Sequence, residues 1–170
     1  MKTYVALLRA VNVGGTGKLP MAELKKICEG LGFRSVRTYI ASGNVVFQSP
    51  KPEAQVKALL EGALEAYAGK AVGVLVRTGE EMAAVLAANP FAAIEGNRVA
   101  AYFLDREPGA DALKTVTNQE SEEIRLGRRE IYVHYPHGMG QSKLRIPAVK
   151  NGTARNMNTV AKLAEMMGEG

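Results

Sequence analysis

Tryptophan is absent from this chain, aromatic residues make up only 6% of it, and there is one cysteine and two histidines. With so few rings, aliphatic side chains must fill the interior, and few aromatic platforms remain on which nucleobases could stack. A single thiol, Cys28, excludes an intramolecular disulfide. It falls on the apolar side of a predicted helix, which points to a buried, inert thiol and fits a reducing cytoplasm. His134 and His137 resemble half of a metal site. No further cysteine or histidine pair completes four ligands, so the sequence calls for no metal. The N-terminus lacks the apolar core and cleavage site of a signal peptide, and no apolar run reaches membrane-spanning length. The expectation is a cytoplasmic protein without a membrane partner.

What is present is a chain of 170 residues that is 46% hydrophobic, enough for a substantial core and too apolar for disorder. The formal net charge is +5. Acids are missing from residues 1–22, 30–52 and 131–164, which carry Lys2, Arg9, Lys18, Arg34, Arg37, Lys51, Lys143, Arg145, Lys150, Arg155 and Lys162. Brought together by the fold, these tracts would make a positive face for an anionic partner, a small molecule or nucleic acid. Left apart, they show only that acids favour solvated helices.

The hydrophobic pattern predicts a strand over 3–8, then a helix opened by Pro20 at its first position and carrying Met21, Leu24, Ile27, Cys28 and Leu31 on one face. Val36–Ile40 and Asn44–Gln48 read as a hairpin turning at Ser42-Gly43. Pro52 opens a second helix whose inner face holds Val56, Leu59, Leu60, Ala63, Leu64 and Tyr67, and Val72–Val76 reads as a fourth strand. The order β-α-β-β-α-β over 3–77 is that of a ferredoxin-like unit. Thr78 and Glu81 then form a capping box for a short helix that Asn89-Pro90 stops. Val99–Leu104, Glu122–Leu126 and Glu130–Tyr135 read as strands, with a short helix near Ala110–Val116 and a last helix capped by Thr153 or a neighbour. The fold class expected is α+β, two packed halves with ferredoxin-like βαββαβ character and mostly antiparallel sheets. The halves are 1–78 and 79–170, with no residue-level repeat between them.

Three polar loops carry the candidate chemistry. The first runs from Arg9 through Asn12, Gly14, Gly15 and Lys18 into a helix N-terminus. It fails as a P-loop, because Asn12 stands at the leading glycine and Leu19 at the closing hydroxyl. It fails as a dinucleotide fingerprint, because Pro20 takes the third glycine, so no cofactor is called for. What remains is a loop whose backbone N–H groups, planar Arg9 fork and Lys18 charge suit an anion, against a plain strand-to-helix turn that needs glycine. The second is Ser42-Gly43-Asn44, on its own an ordinary hairpin turn. The third places Ser142, Lys143, Arg155 and Asn156 ahead of the last helix, where capping alone needs only one or two polar residues. No Ser-His-Asp or Cys-His arrangement has local support.

The run Arg9-Ala-Val-Asn-Val-Gly-Gly15, with Gly32-Phe33 and Val36-Arg-Thr-Tyr-Ile-Ala-Ser-Gly-Asn-Val-Val-Phe47, resembles the N-terminal signature of an uncharacterised bacterial family known as domain of unknown function 1697. Asn89-Pro90-Phe91, Tyr102-Phe-Leu104, Tyr135-Pro-His-Gly138, Ser142-Lys-Leu144 and Thr153-Ala-Arg-Asn156 resemble it too. That family carries tryptophan between its two C-terminal asparagines, where this chain has Met157. The resemblance implies an α+β fold of two related halves and no established activity. Three readings follow: a binding module for a phosphate-bearing ligand (nucleotide or nucleic acid), an enzyme on a phosphorylated or carboxylated metabolite, or an interaction domain with a basic face. The oligomeric state is open in all three.

Overall fold

A computed structural model describes residues 1–9, 19–39 and 43–168. It contains eight strands and four α-helices among these residues, arranged as two four-stranded sheets, an α+β fold. The chain divides into two compact units, Met1–Met82 with Leu163–Gly170, and Ala83–Lys162.

In the first unit, β1 (Lys2–Leu8), α1 (Met21–Gly30), β2 (Arg34–Tyr39), β3 (Asn44–Ser49), α2 (Glu53–Ala68) and β4 (Val74–Thr78) follow the order read from the hydrophobic pattern. The sheet order is β2-β3-β1-β4, with every neighbouring pair antiparallel. Tyr4, Ala6, Leu8, Val45, Phe47, Val74 and Val76 form one core with Leu24 and Cys28 of α1 and Val56, Leu60 and Leu64 of α2. Phe33 stacks on Phe47 at 4.3 Å, and Tyr4 tilts against Phe47 at 6.0 Å. The ring of Tyr4 is buried while its hydroxyl donates to the Lys51 carbonyl at 2.7 Å. Val5, Leu7, Val46 and Leu75, on the opposite face, are buried as well.

Local chemistry explains the boundaries. Pro20 and Pro52 stand one position earlier than predicted, as N-cap residues with extended backbone, and each carbonyl accepts the first helical N–H groups. Gly69 ends α2 in the left-handed conformation, φ 74°, that glycine adopts without steric cost. Tyr67, predicted on the inner face of α2, is 47% exposed. The buried set recurs every four residues and stops at Leu64, one turn before the helix ends. On β4, an edge strand, Lys57 Nζ donates to the Val74 carbonyl at 2.6 Å, and the Val74 N–H donates to Glu61 at 3.0 Å. An i,i+4 ion pair on α2 thus occupies backbone groups that would otherwise template another strand.

The second unit contains α3 (Gly79–Ala87, begun in the first unit), β5 (Val99–Phe103), β6 (Glu123–Leu126), β7 (Glu130–His134), β8 (Thr153–Asn156) and the start of α4 (Met157–Gly168). The helix expected near Ala110–Val116 is instead a run of i→i+3 turns. Leu113 and Val116 from that segment, with Leu144, Ile146 and Val149 from the later one, cover Ala100, Ile124, Ile131 and Val133 of the sheet. A backbone bridge between Thr117 and Arg145 ties the two segments together. Irregular chain here does the covering that α1 and α2 do in the first unit.

The strand order β6-β7-β5-β8 repeats that of the first sheet, position for position. The register repeats too. Arg37, Val46, Val5 and Arg77 form one row across the first sheet; Arg125, Tyr132, Ala101 and Arg155 form the equivalent row across the second. The residue after each last-strand arginine caps a helix. Thr78 and Glu81 exchange the two bonds of a capping box, at 2.8 and 3.2 Å, and the Asn156 carboxamide accepts the Thr159 N–H at 2.9 Å. The repeat is invisible to residue matching, because it is held in strand order, edge arginines and caps. Thr78→Ala and Asn156→Ala are each expected to cost ~1 kcal/mol in urea unfolding, with Thr78→Ser and Asn156→Asp close to wild type.

Cys28 is fully buried in the first core, and burial pushes its thiol up to about 12. Alkylation at neutral pH should therefore be negligible in the native protein and rapid in denaturant, as read by mass spectrometry.

Candidate functional site

β1 delivers Arg9 at its C-terminal end. The Leu8 N–H donates to the Gly43 carbonyl and the Arg9 N–H to the Gly73 carbonyl, both at 2.9 Å. The first residue of one polar loop, the turn of the second, and the entry to β4 thus meet at one end of the first sheet. Gly73 matters for space: a Cβ there would lie 3.0 Å from Arg9 Cδ, so its absence lets the arginine side chain lie along the strand entry. Gly43 has φ 86°, the left-handed geometry that the hairpin turn requires. Asn44 is completely buried and donates through Nδ2 to the Tyr39 carbonyl at 2.9 Å, closing the hairpin. Asn12, Gly14, Gly15, Lys18 and Ser42 lie outside the described residues.

The remaining predicted site residues belong to the second unit. Arg155 is 7% exposed, donates to Thr153 Oγ1 at 2.7 Å and to the Ala154 carbonyl at 2.9 Å, and is pushed down to about 10 by burial. Asn156 follows it on β8, so the two side chains leave opposite faces of the strand. Lys143 is exposed. Ser142 lines a small open cleft of about 30 Å³ with Glu120, Ser121, Glu122, Tyr135, Pro136, His137, Gly138 and Gln141.

That cleft is built around a carboxylate. The Ser142 hydroxyl donates to Glu122 Oε2, and the Glu120 N–H donates to Glu122 Oε1 at 2.7 Å. These bonds, the serine first, hold the Glu122 carboxyl below its ordinary range against the opposing effect of burial, and His137 adds to them. Ser142 Oγ also accepts the Leu144 N–H at 3.1 Å. Tyr135, 4% exposed, shares a 2.5 Å hydrogen bond with the Tyr102 hydroxyl; burial, then that bond, pushes its phenol well above the usual range. A carboxylate so stabilised is a weak base for the serine proton.

Sequence reasoning found Ser142 and passed over Glu122, twenty residues away on the other connecting segment. No local pattern marks that pairing. The Tyr135-Pro-His-Gly138 run was the available signal. Among the described residues, no group of three or more His, Cys, Asp or Glu side chains is placed to hold a metal ion. Of the three strand aromatics that offer a face for stacking on a base, Tyr4 and Phe47 are core and Tyr39 is half-buried. Met157, where the resembling family carries tryptophan, is 5% exposed at the start of α4.

A family model described as "Protein of unknown function (DUF1697)" matches residues 1–132, and the chain belongs to that family. A search of the curated proteins finds no match. Among solved structures, the chain is similar to a conserved bacterial protein, SP0830, from Streptococcus pneumoniae. The two are 25% identical, the likeness covers 99% of each chain, and the TM-score is 0.82.

The Glu122–Ser142 bond predicts a pH dependence. A carboxylate held below its ordinary value of 4.5 contributes stability that is present above that value and is lost as pH falls through the folded-state value. Ser142→Ala removes the largest cause of the shift. Its destabilisation, measured by urea midpoints, should therefore be greatest at pH 7 and shrink below pH 4.5. A deficit of constant size at every pH would show that the bond does not stabilise the charged carboxylate.

Proposed function

We propose that this member of the family is a binding module for a small phosphate-bearing ligand, held at the end of the first sheet. The observation that carries the reading is the meeting of the end of β1, Leu8-Arg9, with Gly43 and Gly73, where two tracts free of acids in the sequence adjoin. A guanidinium offers a planar pair of donors to phosphate, and glycines permit close backbone approach. Glu61 of α2, which accepts the Val74 N–H just past the strand entry, is paired with Lys57. Asn12, Gly14, Gly15 and Lys18 of the loop, with Ser42, would complete the set. Arg155, Asn156 and Lys143 belong to this reading only as further cationic or polar groups of the second unit.

A nucleotide suits the site better than single-stranded nucleic acid, because of the strand aromatics Tyr4, Tyr39 and Phe47 two are buried and only Tyr39 stays partly exposed. No helix among the described residues is long and apolar enough to cross a membrane. A buried, unreactive thiol is in keeping with the reducing cytoplasm.

The test is a thermal-shift series against inorganic phosphate, adenine and guanine nucleotides, sugar phosphates and short oligonucleotides. A ligand at 100 times its Kd adds about 2.7 kcal/mol and raises Tm accordingly. The expected result is a selective, saturable rise with one phosphate class that Arg9→Ala abolishes and Arg9→Lys keeps in part. No shift with any phosphate ligand, or a shift indifferent to Arg9→Ala, overturns the reading.

A further inference from the structure

The cleft of the second unit differs in chemistry from the Arg9 site and shares no residue with it. Its central group is the Glu122 carboxylate, 8% exposed. A carboxylate offers about four acceptor positions, and the Glu120 N–H and the Ser142 hydroxyl take two of them. The Glu122 N–H bonds its own carboxylate as well, so one position remains for a donor that enters the cleft. Tyr135 and Tyr102 share one hydrogen bond between two hydroxyls, which leaves acceptor lone pairs on both oxygens. The His137 imidazole and the Gln141 carboxamide form no side-chain hydrogen bond among the described residues. The Pro136 carbonyl is already taken by Arg98, and Ser142 Oγ both donates and accepts. The cleft thus keeps acceptors that no protein donor takes, on Glu122, Tyr135 and the Gln141 carboxamide oxygen, beside a negative charge that His137 offsets only from the rim.

Size narrows the occupant. About 30 Å³ holds roughly two water-sized groups, the room an ammonium and the carbon bearing it would need. A phosphate has the wrong sign for a cleft built around a carboxylate. A quaternary ammonium has no N–H to give to these acceptors. We infer that this cleft binds the primary ammonium group of a small aliphatic amine, with Glu122 as its charge partner, the Tyr135 hydroxyl as an acceptor, and Gln141 and His137 at the rim. An ammonium presents three donors to acceptors converging from several directions, and the partly buried position makes its bond to the carboxylate charge-assisted. Ser142 acts here as a positioning residue, fixing the carboxylate through Oε2.

The test uses the full-length, ¹⁵N-labelled protein titrated with n-butylammonium chloride at constant ionic strength, with tetramethylammonium chloride and n-butanol as comparators. Tetramethylammonium carries the charge without an N–H donor; butanol carries the chain without the charge. The expected result is a saturable shift of the Glu120, Ser121, Gly138, Gln141 and Ser142 amides with butylammonium, and affinity about tenfold weaker or worse for both comparators. Glu122→Gln should abolish the shift. Equal responses to all three compounds, a response spread over other amides, or no saturation overturns the inference. The three-compound comparison needs only the wild-type protein, so it stands even if Glu122→Gln fails to fold.

Discussion

The first unit hangs on β1. Its backbone is paired on both sides, with β3 through six positions and with β4 through five, and its residues Tyr4–Leu8 are buried on both faces. Such a strand has no solvent-facing alternation and reads as a continuous apolar run. Every other part of the unit is placed by it. β3 and β4 take their register from it, α1 and α2 cover the Tyr4, Ala6 and Leu8 side, and Arg9 emerges where the paired segment ends. The position of the proposed anion site is therefore a consequence of where the ladder stops.

The same plan is executed twice with different means. β5 is the counterpart of β1, paired on both sides by β7 and β8, and the cap that follows β8 matches the cap that follows β4. In the first unit, helices supply the apolar cover. In the second, the cover comes from irregular segments bridged at Thr117 and Arg145. Irregular chain leaves polar groups that helices would satisfy internally, and those groups must find partners among side chains. The Glu122, Ser142 and Glu120 cluster is where several of them do so. A cleft with chemistry arises in the unit whose connections are not helical.

Arginine is buried in both sheets. Arg77, 1% exposed, donates to the Val76 carbonyl, and Arg155 donates to the Ala154 carbonyl. Each reaches back to the carbonyl of the preceding residue on an edge strand, where that group is not consumed on both sides by the ladder. An arginine with five donors can serve such a carbonyl and still bond elsewhere. Arg37 does the same kind of work from the other edge, donating to the Met166 carbonyl of α4 at 2.5 Å.

Periodicity, capping residues and turn chemistry settled much of the fold from the sequence alone. The strands and helices of the first unit, the β2–β3 hairpin, the Thr78–Glu81 box and the burial of Cys28 all depend on contacts within a few residues or on a simple apolar pattern. The sites were legible only in part. Gly43 and Arg9 could be named as polar loop residues, but their meeting depends on β1 and β3 lying side by side. The acid-free stretch 131–164 suggested a positive loop around Ser142. Tertiary structure placed Glu122 against that serine, because charge along a chain does not determine charge in space. What sequence determined were interactions of short range, where separation along the chain and distance nearly coincide. What the fold decided were pairings between segments such as 104–122 and 135–152, for which separation along the chain carries no information about distance.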